Sequence, residues 1–375
     1  MRFLHLSDVC AINMGQSPDS SSYNTSGDGL PFFQGNADFG DKYPVTRVWC
    51  NEPTKIAHAE DILISVRAPI GAMNYAKETC CIGRGLAAIT PDKKLVSSEF
   101  VFWLLKGKNA ELNNKGTGST FKAISRKVLE EVLIPDISLG QQIAFATQLE
   151  SAYSIIQTRQ RQLRALDTLI KARFVEMFGD TVHNPFQWDK GLLGGVCDVR
   201  DGTHDSPQYY ETGFPLVTSK NVTGGKIDLT NCSLICKADY EKINERSKVD
   251  MGDIIMPMIG TVGKPVIVDI EPLFAIKNVA LIKFRANSRV LNSYVRALLQ
   301  SDYFDDAVLS KVRGGTQKFI SLGDIRKLEV LVPTMERQEQ FATLVTQVEK
   351  SKVAIQAALD KAQLLFDSLM QKYFG

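Results

Sequence analysis

Two glycine-rich basic stretches, far apart in the chain, carry the residue types best suited to hold phosphate oxygens. The first is Lys115-Gly116-Thr117-Gly118-Ser119-Thr120-Phe121-Lys122-Ala123-Ile124-Ser125, and the second is Arg313-Gly314-Gly315-Thr316-Gln317-Lys318-Phe319-Ile320-Ser321. Glycine leaves backbone N–H groups bare, Thr117, Ser119 and Thr316 add hydroxyls, and Lys115, Lys122, Arg313 and Lys318 add charge. Around the first stretch, Lys106, Lys108, Arg126 and Lys127 extend the positive run against Glu111; around the second, Lys311, Arg326 and Lys327 do so against Asp324. One such loop reads as a solvated hairpin, but its recurrence at the same place in both halves of the chain favours ligand contact. Two polar loops, Gln34-Gly35-Asn36 and Ser219-Lys220-Asn221, offer amides and a lysine; Asn and Gln can bond N6 and N7 of adenine together. Gln16, Ser17, Thr203 and His204 can sit beside them, and Arg84 and Lys277 stand at the entries of two strands. At each of these positions a turn residue satisfying its own backbone is the competing reading.

No catalytic residue is expected. Neither glycine stretch has the GxxxxGK[ST] spacing of a phosphate-binding loop, and Gly260-Thr261-Val262-Gly263-Lys264-Pro265 fails it as well. Asn184-Pro185-Phe186 lacks the second proline of the Asn-Pro-Pro-aromatic motif of amino-methyltransferases. No Ser/His/Asp or paired-carboxylate arrangement stands out. The four histidines (His5, His58, His183, His204) are scattered and the seven cysteines include no CxxC pair, so no metal site is expected and the thiols read as reduced and mostly buried.

The elements that must position these residues come in two copies. Leu6-Ser7-Asp8-Val9-Cys10 answers Leu193-Gly194-Gly195-Val196-Cys197. Pro31-Phe32-Phe33 answers Pro215-Leu216-Val217, and Asp61-Ile62-Leu63-Ile64-Ser65 answers Asp253-Ile254-Ile255-Met256-Pro257. These are short apolar runs bounded by turns, hence buried strands, with Phe32 and Phe33 in the core; Pro257 marks its strand as an edge or a bulge. Arg84-Gly85-Leu86-Ala87-Ala88-Ile89 and Lys277-Asn278-Val279-Ala280-Leu281-Ile282 form another matched strand, followed by helices over Ser98 to Leu105 and Asn292 to Leu299.

Each copy ends in a sustained heptad. The first runs Leu149, Ala152, Ile156, Arg159, Leu163, Leu166, Ile170, Arg173, Met177, and the second Phe341, Leu344, Val348, Ser351, Ile355, Ala358, Ala362, Leu365, Leu369. A helix of about 35–40 residues spans roughly 55–60 Å. Two in one chain can pair antiparallel, placing the heads at opposite ends about a pseudo-two-fold axis, with Arg159, Arg173 and Ser351 fixing register. The expected fold class is α+β: two similar α/β domains separated by two long antiparallel coiled-coil helices.

With 375 residues, 44% apolar and 23% charged, the chain should be a folded protein of two domains plus helices. No apolar run approaches a membrane span, and the N-terminus turns polar too early for a secretory leader, so a cytoplasmic location and no membrane partner are expected. A net charge of only +2 means that any nucleic acid must be gripped by local patches or with help from partners. A coiled-coil scaffold whose paired heads bind protein or another ligand is the alternative from a different class.

In order along the chain, Met14-Gly15-Gln16-Ser17-Pro18, Pro31 to Gly40, Gly116 to Ser125, Arg173 to Asp180, Asp201-Gly202-Thr203-His204-Asp205-Ser206-Pro207, Ser219-Lys220-Asn221, Gly314 to Ser321 and Phe366 to Gly375 resemble the specificity subunit of type I restriction-modification systems. The resemblance covers essentially the whole chain. It implies target-recognition domains at 1–137 and 184–334 and conserved spacer helices at 138–180 and 335–375. It further implies a non-catalytic DNA-binding subunit that reads a bipartite duplex target and docks partners on its helices. Those partners would be modification (methyltransferase) subunits, two of them, and ATP-dependent restriction subunits. No cofactor belongs to this chain; S-adenosylmethionine, ATP and Mg would be used by the partners.

Overall fold

In the computed structural model, residues 2–118, 122–259, 263–308 and 319–375 are described. The chain divides into two compact units: Met1–Arg159 with Ala358–Gly375, and Gln160–Ala357.

The first unit is organised around the run Ile62–Ser65, apolar on both faces. It lies third in an antiparallel sheet of order Cys10–Met14, Leu86–Pro91, Ile62–Ser65, Met73–Tyr75. Alternate side chains serve two cores, which is why the run is continuously apolar. Ile62, Ile64, Ala87 and Ile89 pack with Phe100, Val101 and Trp103 of helix Ser98–Gly107. Leu63, Leu86 and Ala88 pack with Phe33, Cys80 and Ile82. Those last residues belong to a second sheet in which Leu30–Phe33 runs parallel to Cys80–Ile82. A two-stranded ribbon joins Phe3–His5 to Leu133–Pro135.

The second unit repeats this plan. Its sheet order is Asp198–Asp201, Val279–Lys283, Ile254–Pro257, Val266–Ile267. Phe214–Val217 runs parallel to Ala275–Ile276, and Asp189–Leu192 pairs with Glu329–Val332. The expected α+β heads are both present, and Phe32 and Phe33 are buried. The strand ending at Pro257 is an interior strand of its sheet and not the expected edge. Its neighbour Val266–Ile267 pairs only with Ile254 and Ile255, so the proline sits past the end of that ladder, where its missing N–H breaks no bond.

Two helices of 40 residues each, Leu139–Phe178 and Met335–Phe374, contribute to both units. Within the first unit Phe145 stacks on Tyr373 at 3.9 Å and Tyr153 meets Phe366 at 5.8 Å. Within the second, Asp167 pairs with Lys352 at 2.8 Å and Phe174 meets Phe341 at 5.7 Å. In each unit, ascending one helix means descending the other, so the pairing is antiparallel. The seam of the first helix follows the heptad read from the sequence as far as Ile170. In the last turns the buried side chains are Phe174 and Phe178, one residue beyond Arg173 and Met177, and Arg173 turns to Glu176 of its own helix at 2.6 Å, so it fixes no register. In the second helix one of the two seam columns is displaced by one residue: Phe366 and Tyr373 are buried, whereas Leu365 is 53% exposed. Ser351 faces solvent and returns its hydroxyl to the Gln347 carbonyl at 3.1 Å, so it fixes no register. The facing position belongs to Lys352, whose stem covers the seam while its ammonium reaches Asp167.

Each long helix is tied to its head by a buried glutamine. The Gln142 carboxamide accepts from the Ser97 N–H at 2.9 Å and donates to the carbonyls of Ile137 and Leu95. The Gln338 carboxamide accepts from the Leu291 N–H at 2.8 Å and donates to Arg289 and Pro333.

Candidate nucleic-acid interface

The strand Cys10–Met14 leaves its sheet at Gly15, whose backbone lies against the turn that opens Leu86–Pro91. A Cβ there would stand 2.2 Å from the Gly83 carbonyl oxygen, so only glycine permits the approach. The Gly15 and Gln16 N–H groups donate to Leu86 and Ile82 at 2.9 and 3.0 Å. This seats Ser17 between Gln34 and Arg84. The Gln34 amide donates to the Ser17 hydroxyl at 2.8 Å, and the Arg84 N–H donates to the same oxygen at 3.3 Å. Gln16, Ser17, Gln34 and Arg84 therefore share one crevice, with Asn36 opening the adjoining 3-10 turn Asn36–Asp38. Gln16, Gln34 and Arg84 are exposed, and among the described residues the Arg84 guanidinium has no hydrogen-bond or ion-pair partner.

The second head builds the same crevice with other residues. Gly202 takes the place of Gly15; a Cβ would stand 2.4 Å from the Ile276 carbonyl oxygen. The Thr203 N–H donates to Ile276 and the Asn278 N–H to Thr203, at 3.0 and 3.2 Å. The His204 ring lies between the Asn278 carboxamide oxygen at 2.8 Å and the buried Asp201 carboxylate at 2.9 Å. Bonding to Asn278 and to Asp201 raises the His204 pKa above the ordinary histidine value, against the nearby Arg246 charge. Arg246 binds the other Asp201 oxygen, and Lys277 donates to the Ser206 hydroxyl at 2.7 Å. Ser219 and Lys220 occupy the neighbouring 3-10 turn Ser219–Asn221 and are at least partly exposed. Asn221, expected to face a ligand, is turned inward instead: it is 6% exposed and its carboxamide oxygen caps the turn by accepting from Thr218 N–H and hydroxyl.

The glycine-rich loop of the first head is anchored beside its crevice. Thr117 and Ala123 exchange two backbone hydrogen bonds, and the Lys122 carbonyl accepts from Ala68 at 3.0 Å. Val66 joins the two features, donating to Gly85 at 2.9 Å and accepting from Ile124 at 2.9 Å. In the second head Ile320 donates to Met258 at 3.0 Å in the same manner. Ser119, Arg313, Thr316 and Lys318 lie outside the described residues.

The positive field of the first loop is smaller than its lysine count implied. Lys115 and Lys108 both pair with Glu111, at 2.8 and 3.6 Å, and the Lys115 hydrogen bond holds the Glu111 carboxyl below its usual range. Arg126 pairs with Glu130, Lys127 with Glu131, and the Lys106 ammonium sits 3.6 Å from the centre of the Tyr153 ring. Arg326 spends its guanidinium on the Val199 carbonyl at 2.6 and 3.0 Å. The exposed Lys122 and Arg84 remain as the cations best placed to meet a ligand of the first head. Sequence reasoning did not single out Asp201, Ser206, Arg246 or Asn278. Asn278 could have been found, since an Asn at a strand entry is a frequent left-handed residue, and its φ is 55°.

A family model for the type I restriction modification DNA specificity domain matches residues 1–165 and again 185–364. The chain belongs to that family. The two specificity-domain matches coincide with the two structural copies, each taking in one head and much of the long helix that follows it. The putative type I restriction enzyme MjaX specificity subunit of Methanocaldococcus jannaschii is 44% identical over 156 residues, 42% of this chain and 37% of that relative's length. The MjaIX specificity subunit of the same organism is 26% identical over 83% of this chain and 76% of its own. In fold, the chain is similar to the crystal structure of a type I restriction-modification system S subunit from M. genitalium. That match has a TM-score of 0.62 at 15% identity, over 100% of this chain and 96% of that one. Among the described residues no helix is long and apolar enough to cross a membrane, and no cluster of His, Cys, Asp or Glu could hold a metal ion.

Proposed function

We propose that this chain is the non-catalytic specificity subunit of a type I restriction-modification assembly, and that each head reads one half of a bipartite duplex target. The observation that carries the reading is the same crevice built twice, by Gly15 to Ser17 with Gln34 and Arg84, and by Gly202 to His204 with Lys277 and Asn278. A scaffold with unrelated ligands would not need one polar, cation-bearing crevice at the same strand junction in both heads. The paired helices act as the spacer between half-sites and carry the docking surface for modification subunits, two per chain, and through them for restriction subunits. S-adenosylmethionine, ATP and Mg are used by those partners.

Equilibrium binding of the full chain to a duplex pool tests the reading. Affinity should fall at least about tenfold between 50 and 200 mM salt, because each neutralised phosphate releases a counterion. Arg84→Glu with Lys122→Glu should weaken protection of one half-site and leave the other intact. Salt-insensitive binding, or no duplex binding, would instead support a scaffold for protein or another ligand.

A further inference from the structure

Among the residues that build the two crevices, an imidazole stands only in the second. Both nitrogens of His204 face oxygen acceptors, Asn278 Oδ1 at 2.8 Å and Asp201 Oδ2 at 2.9 Å. Two acceptors are satisfied together only by the imidazolium, which donates from both nitrogens. In that state the Asn278 oxygen is consumed, and its Nδ2 has no partner among the described residues. A neutral ring keeps Nε2–H on Asp201 and turns a lone pair at Nδ1 toward Asn278. The carboxamide must then rotate by half a turn, so that Nδ2–H donates to Nδ1 and the oxygen faces outward.

We propose that the protonation state of His204 sets the hydrogen-bonding polarity of Asn278, making it a donor toward DNA at low pH and an acceptor at high pH. This rests on the DNA-reading role proposed above for the second head. As a donor, Asn278 suits guanine N7 and O6, thymine O4 or a phosphate oxygen; as an acceptor, it suits the amino groups of adenine and cytosine. The pair is well placed for such a device. His204 is an exposed residue and Asn278 a half-buried one, held in the left-handed region at φ 55° with its N–H on the Thr203 carbonyl.

The charged groups facing the ring are few. Asp201, from the strand Asp198–Asp201, favours the cation, and Arg246, from helix Lys237–Ser247, opposes it while binding the other Asp201 oxygen. Asp205 is next in the chain, and Lys277, from the opposite turn, is directed to Ser206. The sign is that of a histidine held charged: the donor state is full below the ordinary histidine range and is lost as pH rises through a pKa that lies above it.

Selection of bound sequences by the full chain from a randomised duplex pool, at pH 6 and at pH 9, tests this directly. At one position of the second half-site, preference should move from acceptor-bearing to amino-bearing base edges by roughly fivefold, the worth of one hydrogen bond. The first half-site should not change. In His204→Gln the second half-site should read the same at both pH values, whatever the change in its affinity, and Asn278→Asp, which presents only acceptors, should hold the high-pH preference at both values. An unchanged second half-site in the wild type, or an equal shift in both half-sites, would overturn the proposal. Failure to select any sequence at either pH would instead sink the DNA-reading role on which it rests. Proton NMR of the His204 ring gives a readout independent of DNA: its titration midpoint should lie above the ordinary histidine value and fall in Asn278→Ala, and a midpoint at the ordinary value would contradict the geometry.

Discussion

Gly202 and Gly15 show how much of each crevice depends on single atoms. Both lie where a loop crosses the entry of a central strand, and in both the obstacle to a side chain is a carbonyl oxygen of the main chain, which cannot swing aside. Gly202→Ala should therefore displace Thr203 and His204 from the Ile276–Asn278 turn and weaken the second half-site by about tenfold or more, with little loss of overall helicity. Footprinting beside circular dichroism checks this; an unchanged second footprint would show that the close approach is dispensable. The residue scale is also where the sequence was least legible. The sequence suggests Gln16 and Ser17 beside Gln34, but it offers Arg84 only as a basic residue at a strand entry; the Arg84 N–H on the Ser17 hydroxyl is what joins it to the crevice. What remained hidden was partnership. Lys115 reads as a phosphate ligand, yet Glu111 binds it together with Lys108, and Asn221 reads as a base contact, yet its oxygen caps Thr218. Such short-range pairings depend on rotamers that spacing alone does not determine.

At the scale of elements, the strands were legible because each apolar run serves two cores. Ile62 and Ile64 face one and Leu63 the other, so burial shows in the chain as an unbroken hydrophobic stretch. The long helices were legible as helices, but the second seam was read one residue out of step in one column. The cause is Lys352: a basic residue at a seam position does not look apolar, although its stem is, and reading Ser351 there carried Leu365 along with it. The corrected seam makes a sharp prediction. Phe366→Ala should destabilise the first unit by about 3–5 kcal/mol, as for other buried aromatic truncations, since Phe366 lies against Trp103 and Tyr153. Leu365→Ala should cost no more than about 0.5 kcal/mol, as at ordinary surface positions. Urea denaturation followed by tryptophan fluorescence distinguishes them, and equal costs would restore the seam first read. The glutamines Gln142 and Gln338 escaped notice because a polar residue near a helix start looks solvated; only the structure shows three hydrogen bonds spent by each on joining helix to head.

For the whole molecule, duplication is the organising fact. Two sheets of the same strand order, two parallel strand pairs in the second layer, two ribbons and two tied helices divide the chain into units of like construction. Burial pushes the thiol pKa values of Cys10, Cys80 and Cys197 up to about 12, so these three serve the cores. A modest net charge of +2 is compatible with DNA reading if contact is confined to the two crevices and the rest of the grip comes from partner subunits. Methylome mapping of cells expressing this chain with its modification subunit, alongside a variant with one heptad added to each long helix, tests the central claim most directly. The account predicts a methylated two-part motif with a fixed gap, and in the variant the same two half-sites with a changed gap. A single contiguous motif, or a gap indifferent to helix length, would contradict it.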